Sequence, residues 1–191
     1  MQTPKLFTLL PEEYVSTPDG MEIDKNGDMI LSCPNFADMS MPSCICRINK
    51  EGHVTKWFDV PLNEETHEAR SMGIAFGPDG DLYIVDNQGW TGRPELIRQG
   101  RILRVHFEDN NVSKVTVVAK HMEHPNGIRI KGEYMYVTQS TMTKVKTDSG
   151  NALSCVYRFH LNDHDIDVTN TLEDSNIFLS YETFNPQDQY G

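Results

Sequence analysis

One strand signature recurs three times in this chain at a nearly constant interval. Its glycines are Gly20, Gly73 and Gly127, which lie 53 and 54 residues apart. Each signature contains an apolar run, and a second apolar run follows it after a short polar turn. A fixed period of this length, filled with short strands, is typical of a repeat protein such as a β-propeller. The interval predicts repeat units at approximately 18–70, 71–124 and 125–181.

The residues within each unit favour strands joined by tight turns. Asn26-Gly27 and Asp79-Gly80 each separate two apolar runs, and such pairs tolerate the positive φ angles of hairpin turns. Residues 112–118 are rich in β-branched residues, as outer strands are. No segment shows a sustained helical period with capping residues. The chain is therefore predicted to be all-β.

The number of units raises the question of how a ring would close. Propellers typically close with four to eight blades, because an open arrangement leaves strand edges unpaired. About three to three and a half units of this period fit into the 191 residues. We therefore expect about half of a propeller, in which either the remaining half or a second copy of the chain completes the ring.

Composition excludes several kinds of partner. No apolar run approaches the roughly 20 residues that span a bilayer, so no membrane partner is expected. The net charge of −11 argues against a nucleic-acid partner, because binding a phosphate backbone requires clustered Lys and Arg. A small-molecule substrate or ligand remains the expected partner.

The four cysteines do not resemble a disulfide framework, so reduced thiols are expected. The first ten residues do not resemble a secretory signal, and a cytoplasmic location is the corresponding expectation. Cys44 and Cys46 share one strand face, but no matching pair elsewhere in the sequence completes a zinc signature.

Long loops are expected on one face of the propeller. The innermost strand of each blade starts near the central axis, and the connections between second and third strands open on the same face. These connections are long here, at 32–43, 86–100 and 139–151, whereas the opposite face carries tight turns. Binding residues are concentrated on such loops, so this face is the predicted functional mouth of the channel.

Side chains on these loops are candidate substrate contacts. Trp90 could pack on a ring, and Arg93 could form a bidentate pair with a carboxylate. The alternative, a loop packed on itself with Trp90 over the edge of the blade, is equally compatible with the sequence. The full set of candidates is Asn87, Gln88, Trp90, Arg93 and Gln139.

Two oxygen-bearing side chains stand at the axial starts of the first and third units. Asp19 and Asn126 precede the recurring glycines, and hard divalent cations such as Ca²⁺ take several oxygens of this kind. The alternative is that both residues only form turns, since Asp-Gly and Asn-Gly are common in loops. The residues alone leave both interpretations open.

Several of these segments resemble one protein family. They are Asp-Gly-Met-Glu-Ile-Asp at 19–24, Gly-Ile-Ala-Phe-Gly-Pro-Asp-Gly-Asp-Leu-Tyr-Ile-Val-Asp at 73–86 and Pro-Asn-Gly-Ile at 125–128. Together they resemble the senescence marker protein/gluconolactonase/luciferin-regenerating enzyme family over roughly residues 18–157. The resemblance implies a six-bladed propeller. It also implies a metal-dependent hydrolase of lactones or related esters.

The resemblance implies one divalent ion at the channel mouth, most readily Ca²⁺, with Zn²⁺ or Mn²⁺ as alternatives. Asn126 looks like an Asn ligand of the family, and Asp19 stands where the family usually has Glu. Ser71 and Met72 replace a polar pair, and the family's closing Asp would come just after Gly191. The catalytic residue is therefore unknown. The alternative function is a non-catalytic propeller that binds a small ligand or a protein at the same mouth.

Overall fold

The computed structural model describes residues 3–183, which form three sheets in chain order. The first sheet contains β1 (Met21–Ile23), β2 (Met29–Cys33), β3 (Cys44–Ile48) and β4 (Val54–Asp59). The second contains β5 (Ser71–Phe76), β6 (Leu82–Asp86), β7 (Gly100–Glu108), β8 (Asn111–Met122) and the two-residue β12 (Ile166–Asp167). The third contains β9 (Pro125–Lys131), β10 (Tyr134–Gln139), β11 (Ala152–His160) and β13 (Ile177–Thr183).

Four strands of each sheet form an antiparallel meander, and the innermost strands of neighbouring sheets meet. Strand β5 contacts β1 on one side and β9 on the other. Four-stranded meanders that pack through their inner strands are the blades of a propeller. The fold is part of a β-propeller. The predicted all-β propeller is thereby confirmed, and the number six for the complete ring stays a prediction.

The recurring glycine marks the closest approach of neighbouring inner strands. A Cβ atom on Gly20 would lie 2.6 Å from the carbonyl oxygen of Met72. A Cβ atom on Gly73 would lie 2.6 Å from the carbonyl oxygen of Asn126 and 3.0 Å from Cα of Gly127. Only glycine permits such backbone approach without displacing a strand. The repeat period of the sequence therefore corresponds to the interval between successive contacts of neighbouring inner strands around the axis.

Two apolar cores separate the three sheets. Tyr83 and Ile84 are neighbours in β6 and point to opposite cores, as the two-residue period of a strand requires. The second sheet is consequently buried on both faces, and each fully buried large side chain contributes roughly 1.5–3 kcal/mol. Large members of the two cores include Ile30, Ile45, Ile84 and Leu103 on one side and Tyr83, Met135, Tyr157 and Phe159 on the other.

A short strand from the third unit joins the second sheet. Strand β12 pairs in parallel with β8, with Ile166 opposite Ala119 and Asp167 opposite Lys120. The carboxylate Oδ1 of Asp167 also lies 2.7 Å from Nδ1 of His121. The sequence of residues 160–167 does not predict this strand, because two residues are too few to show the alternation of apolar and polar side chains that marks a strand.

The two outer sheets differ in how their free faces are covered. Leu10, Tyr14 and Val15 pack on the face of the first sheet that points away from the second. The third sheet instead leaves Phe178 and Tyr181 51% and 53% exposed. Within residues 3–183 the helices are short 3-10 turns, and none could cross a bilayer.

Candidate functional site

A cavity of about 410 Å³ lies beside the inner strands of the three sheets. Asp19 and Gly20 of the first unit, Gly73 of the second, and Asn126 and Gly127 of the third all line it. The structure thus brings together the two predicted metal ligands, which stand more than 100 residues apart in the sequence. The close contacts at the recurring glycines place their neighbours at a common axis.

Within residues 3–183 the carboxylate of Asp19 has no partner of opposite charge. Its backbone amide donates to the carbonyl oxygen of Ser32 at 2.9 Å, which fixes the start of the inner strand. Among residues 3–183 its side chain accepts no hydrogen bond and forms no ion pair. Neighbouring atoms remove part of the hydration of the carboxylate and raise the pKa of Asp19. A cation bound in the cavity would supply the missing charge.

Asn126 is half-buried at the start of β9 and lines the same cavity. Its side-chain amide forms no hydrogen bond within the described part of the chain. An amide oxygen of this kind is a normal ligand of hard cations. The first and third blades therefore offer Asp19 and Asn126, two oxygen-bearing side chains, to the cavity.

The second blade offers no such oxygen. Met72 is 5% exposed and belongs to the core between the second and third sheets. Ser71 is fully buried, and its Oγ lies 2.9 Å from Oγ of Ser43. Of the second inner strand, only Gly73 and Ile74 line the cavity. The donors from residues 3–183 are therefore fewer than a hard divalent ion requires.

The long loop of the second blade is organised by a buried carboxylate. Oδ1 of Asp86 accepts from the backbone amide of Arg70 at 2.6 Å. Its Oδ2 accepts from Nε of Arg101 at 2.7 Å and from Nε2 of Gln88 at 2.9 Å. Oε1 of Gln88 in turn accepts from Thr66 Oγ1 at 2.6 Å. Gln88, one of the candidate substrate contacts, is thus fully engaged inside the protein.

Two further candidates on the loops are also buried. Oδ1 of Asn87 accepts from the backbone amide of Trp90 at 3.2 Å and caps the short 3-10 helix Gln88–Thr91. Oε1 of Gln139 accepts from the amide of Glu123 at 2.9 Å, and its Nε2 donates to Asn170 at 3.1 Å. These side chains hold the loops in place.

Trp90 and Arg93 lie at the surface. Trp90 is 36% exposed, and its ring stands edge-on to that of His124 at 6.3 Å. Nη1 of Arg93 lies 2.6 Å from Glu68 Oε1, and its Nε lies 2.9 Å from Glu95 Oε1. The guanidinium predicted to recognise a substrate carboxylate already holds two carboxylates of the protein.

Glu123 and His124, which are not among the candidate site residues predicted from the sequence, have buried polar atoms without hydrogen-bond partners in the described part of the chain. Oε2 of Glu123 accepts from the amide of Thr143 at 2.9 Å, but its buried Oε1 has no hydrogen-bond partner within residues 3–183. Nδ1 of His124 is likewise buried without a partner in that range. A Cβ atom on Gly89 would lie 2.7 Å from the carbonyl oxygen of Glu123, so the loop of the second blade packs directly on this turn.

The stability of the protein is expected to fall in mild acid because of His124. Burial lowers the pKa of His124 below its ordinary value. The unfolded chain then binds a proton that the folded chain does not, so the contribution of His124 is lost as pH falls below about 6.5. His124→Gln should weaken this pH dependence. Urea unfolding of both proteins at about pH 7.5 and about pH 5.5 measures it.

The exposed His164 provides the matched control for this experiment. His164→Gln should leave the pH dependence as it is in the parent protein. An unchanged dependence in His124→Gln would contradict the role of the buried imidazole.

Comparisons with known proteins give distant structural likenesses. No family model and no curated protein matches the sequence. A solved structure described as a candidate gluconolactonase aligns with a TM-score of 0.47 at 14% identity, covering 79% of this chain and 50% of that one. A protein of unknown function from Bacteroides caccae aligns with a TM-score of 0.42 at 12% identity, covering 86% of this chain and 54% of that one. The chain thus spans about half the length of both.

Proposed function

We propose that this chain forms part of a divalent-metal-dependent hydrolase of lactones or related esters. The supporting observation is that Asp19 and Asn126, from the first and third blades, line one axial cavity. The carboxylate of Asp19 has no counter-charge within residues 3–183, and its pKa is raised by desolvation. Ca²⁺ suits an all-oxygen site of this kind, and Zn²⁺ or Mn²⁺ are the alternatives.

The proposed metal supplies the electrophile of the reaction. A divalent ion held there would act as a Lewis acid towards the carbonyl oxygen of a lactone. Asp19 and Asn126 would hold the ion, while its other oxygen ligands would come from water or from the rest of the ring. The general base is not assigned among residues 3–183.

Substrate recognition is proposed for the loops at the same mouth. Trp90 and Arg93 lie at the surface, where a ring and a carboxylate could reach them. Asn87, Gln88 and Gln139 complete the proposed set, and their internal hydrogen bonds give the two loops a fixed shape. Binding by a sugar acid would require Arg93 to exchange Glu68 or Glu95 for the substrate.

Loss of either proposed ligand is expected to weaken metal binding by at least about 10-fold, because each removes an oxygen or a charge from the site. The variants are Asp19→Asn, which keeps the shape and removes the charge, and Asn126→Ala. Calorimetric titration with Ca²⁺, Zn²⁺ and Mn²⁺ measures the affinity, and lactone hydrolysis by the loaded proteins measures activity.

Asn111→Ala, at the hairpin between β7 and β8, is the matched control and should behave as the parent protein. Equal metal affinity in the Asn126→Ala variant and the parent protein would remove the proposed site. If the parent protein binds no metal tightly, the proposed hydrolase function is contradicted as well.

The alternative is a non-catalytic propeller that binds a small ligand or a protein at this mouth. The burial of Met72 in the core favours it, because the second blade then offers no oxygen ligand. The titration separates the two functions. Tight metal binding without lactone hydrolysis would favour the binding protein.

For the partner that completes the ring, we propose the remaining half of the propeller or a second copy of this chain. Among residues 3–183, a Cβ atom on Gly127 would meet only Thr138 Oγ1, at 3.3 Å, whereas Gly20 and Gly73 face the backbone of the next inner strand. The third sheet also exposes Phe178 and Tyr181. A further inner strand could therefore pack at Gly127 as β9 packs at Gly73.

We expect the isolated chain to self-associate through this face, because large exposed apolar patches favour association. Gly127→Val should reduce the mass measured by light scattering to that of one chain. Thr55→Val, on an exposed position of β4, places the same valine side chain away from the face and should leave the mass unchanged. A monomeric parent chain would rule out the second copy and leave the remaining half of the propeller.

A further inference from the structure

Three cysteine thiols lie together on the face of the first sheet that points away from the second. Strands β2 and β3 pair so that Cys33 stands opposite Cys44, and Cys46 follows on the same face of β3. Sγ of Cys46 lies 3.8 Å from Sγ of Cys33 and 3.9 Å from Sγ of Cys44. All three sulfur atoms lie within 4.8 Å of one another. The thiols are free, since a disulfide would bring two sulfurs to about 2.05 Å.

The repeat does not require cysteine at these positions. In the second sheet the equivalent pair is Asp86 and Arg101, which occupy the same places at the facing ends of β6 and β7. Cys46 corresponds there to Leu103, a large core side chain. In the third sheet Gln139 stands opposite Cys155. The accumulation of thiols is thus particular to the first sheet.

The N-terminal segment covers the three thiols and excludes water from them. All three side chains are 0% exposed and pack with Tyr14 and Val15. Asn35 anchors the segment, since its Oδ1 accepts from the amide of Ser16 at 2.9 Å and its Nδ2 donates to the carbonyl oxygen of Tyr14 at 3.1 Å. Sγ of Cys44 lies 3.4 Å from the same carbonyl oxygen. The cluster is therefore enclosed, and an ion would enter when this segment moves.

The sulfur separations match those around a shared metal ion. With metal–sulfur bonds of about 2.3 Å, sulfur ligands lie about 3.8 Å apart in a tetrahedral site and about 4.0 Å apart in a trigonal one. The separations of 3.8 and 3.9 Å from Cys46 fall in this range, and the sulfurs of Cys33 and Cys44 lie within 4.8 Å of each other.

The donor set favours a monovalent soft ion. Thiolates select Cu(I) and Zn(II) among the common metals. Structural zinc is almost always four-coordinate, and within residues 3–183 no His, Asp or Glu joins the three cysteines as a fourth ligand. Cu(I) is satisfied by three thiolates in a plane. The three-sulfur donor set found among the described residues therefore favours Cu(I) over Zn(II).

We propose that Cys33, Cys44 and Cys46 form a buried three-thiolate site for Cu(I). Binding replaces up to three thiol protons by one ion, and these protons pass to the solvent. The site lies on the face of the first sheet that points away from the second sheet. Its ligands are sulfur atoms, whereas the ligands proposed for the axial cavity are oxygen atoms. Its loading and the loading of the axial cavity can therefore be measured separately.

The test is anaerobic loading of the intact chain with Cu(I) in the presence of a competing Cu(I) chelator. We expect one equivalent to be retained, and X-ray absorption at the copper edge to show three sulfur neighbours at about 2.2–2.3 Å. The melting temperature should rise on loading, since the ion binds the folded chain. These measurements use the parent protein and do not depend on whether a variant folds.

Variants then identify the ligands. Cys46→Ala and Cys33→Ala should lower Cu(I) affinity by at least about 100-fold, because each removes a ligand. Cys155→Ala is the matched control, since Cys155 is a buried free thiol in a different core, and it should retain Cu(I) like the parent protein. Two or fewer sulfur neighbours, equal loss of Cu(I) in the Cys155 variant, or retention of Zn(II) in preference to Cu(I) would overturn the proposal. So would failure of the parent protein to retain copper, which would make the thiols ordinary core side chains.

Discussion

Asp86→Ala is expected to destabilise the protein by about 3–5 kcal/mol, because it leaves a buried guanidinium without its counter-charge. The side chain of Asp86 is 0% exposed and that of its partner Arg101 is 9% exposed. The same substitution also removes the acceptor for the amide of Arg70 and for Gln88. Buried donors without acceptors cost roughly 1–3 kcal/mol each, so the loss should lie at the upper end.

Urea unfolding of the parent and the variant measures this effect. Asp59→Ala is the matched control, since Asp59 pairs with Lys56 at 3.0 Å but both side chains are exposed, at 51% and 38%. Exposed pairs contribute about 0–1 kcal/mol, so this variant should stay close to the parent. A similar loss in both variants would show that the burial of the Asp86–Arg101 pair is not what matters.

Gly73→Ala is expected to cost about 3 kcal/mol, the upper part of the range for overpacking. The added Cβ would lie 2.6 Å from the carbonyl oxygen of Asn126 and 2.9 Å from the amide nitrogen of Ile128. Both are backbone atoms of β9, so relief requires the third blade to move away from the second. The same displacement would separate Asn126 from Asp19 at the axial cavity, so metal binding should weaken together with stability.

Gly127→Ala tests whether the cost arises from the strand contact. Within residues 3–183 its Cβ would meet only Thr138 Oγ1, at 3.3 Å, so at concentrations where the chain is monomeric we expect its stability to stay within about 0.5 kcal/mol of the parent. Chemical unfolding of the two variants under identical conditions gives the comparison. Equal losses would indicate that any side chain at this repeat position is harmful, whatever it contacts.

The sheets of this protein are predictable from the sequence because their signals are local. Alternation within a strand and the turn pairs Asn26-Gly27 and Asp79-Gly80 each occupy a few neighbouring residues. Gly27 and Gly80 indeed have φ angles of 84° and 87°, the region in which glycine is favoured. The recurring signature then orders these local pieces into blades.

The environment of a single side chain is not predictable in the same way. The sequence predicts Gln88 and Gln139 as exposed loop residues. In the structure they donate hydrogen bonds to Asp86 and Asn170, and no local sequence pattern indicates these partners. Cys33 is separated by ten residues from Cys44, and only the register of β2 against β3 places it in the cluster. Contacts of this kind depend on strand register and on packing between segments that are distant in the sequence.

The axial site lies between these two cases. The positions of Asp19 and Asn126 follow from the repeat, and the structure places both in the lining of one cavity. The position of Met72 follows from the same repeat, but its burial in the core depends on the packing of the second and third sheets. Metal binding at this site stays a prediction until the titrations are made.

The pairing of β12 with β8 bears on how the protein is synthesised. The second sheet acquires its outermost strand from residues that leave the ribosome more than 40 positions after β8 has emerged. Until then, the hydrogen-bonding groups at the edge of β8 near Ala119 have no strand beside them, and they can capture a foreign strand. A nascent chain interrupted before Ile166 would therefore carry an open edge on an otherwise formed blade, a natural recognition point for chaperones.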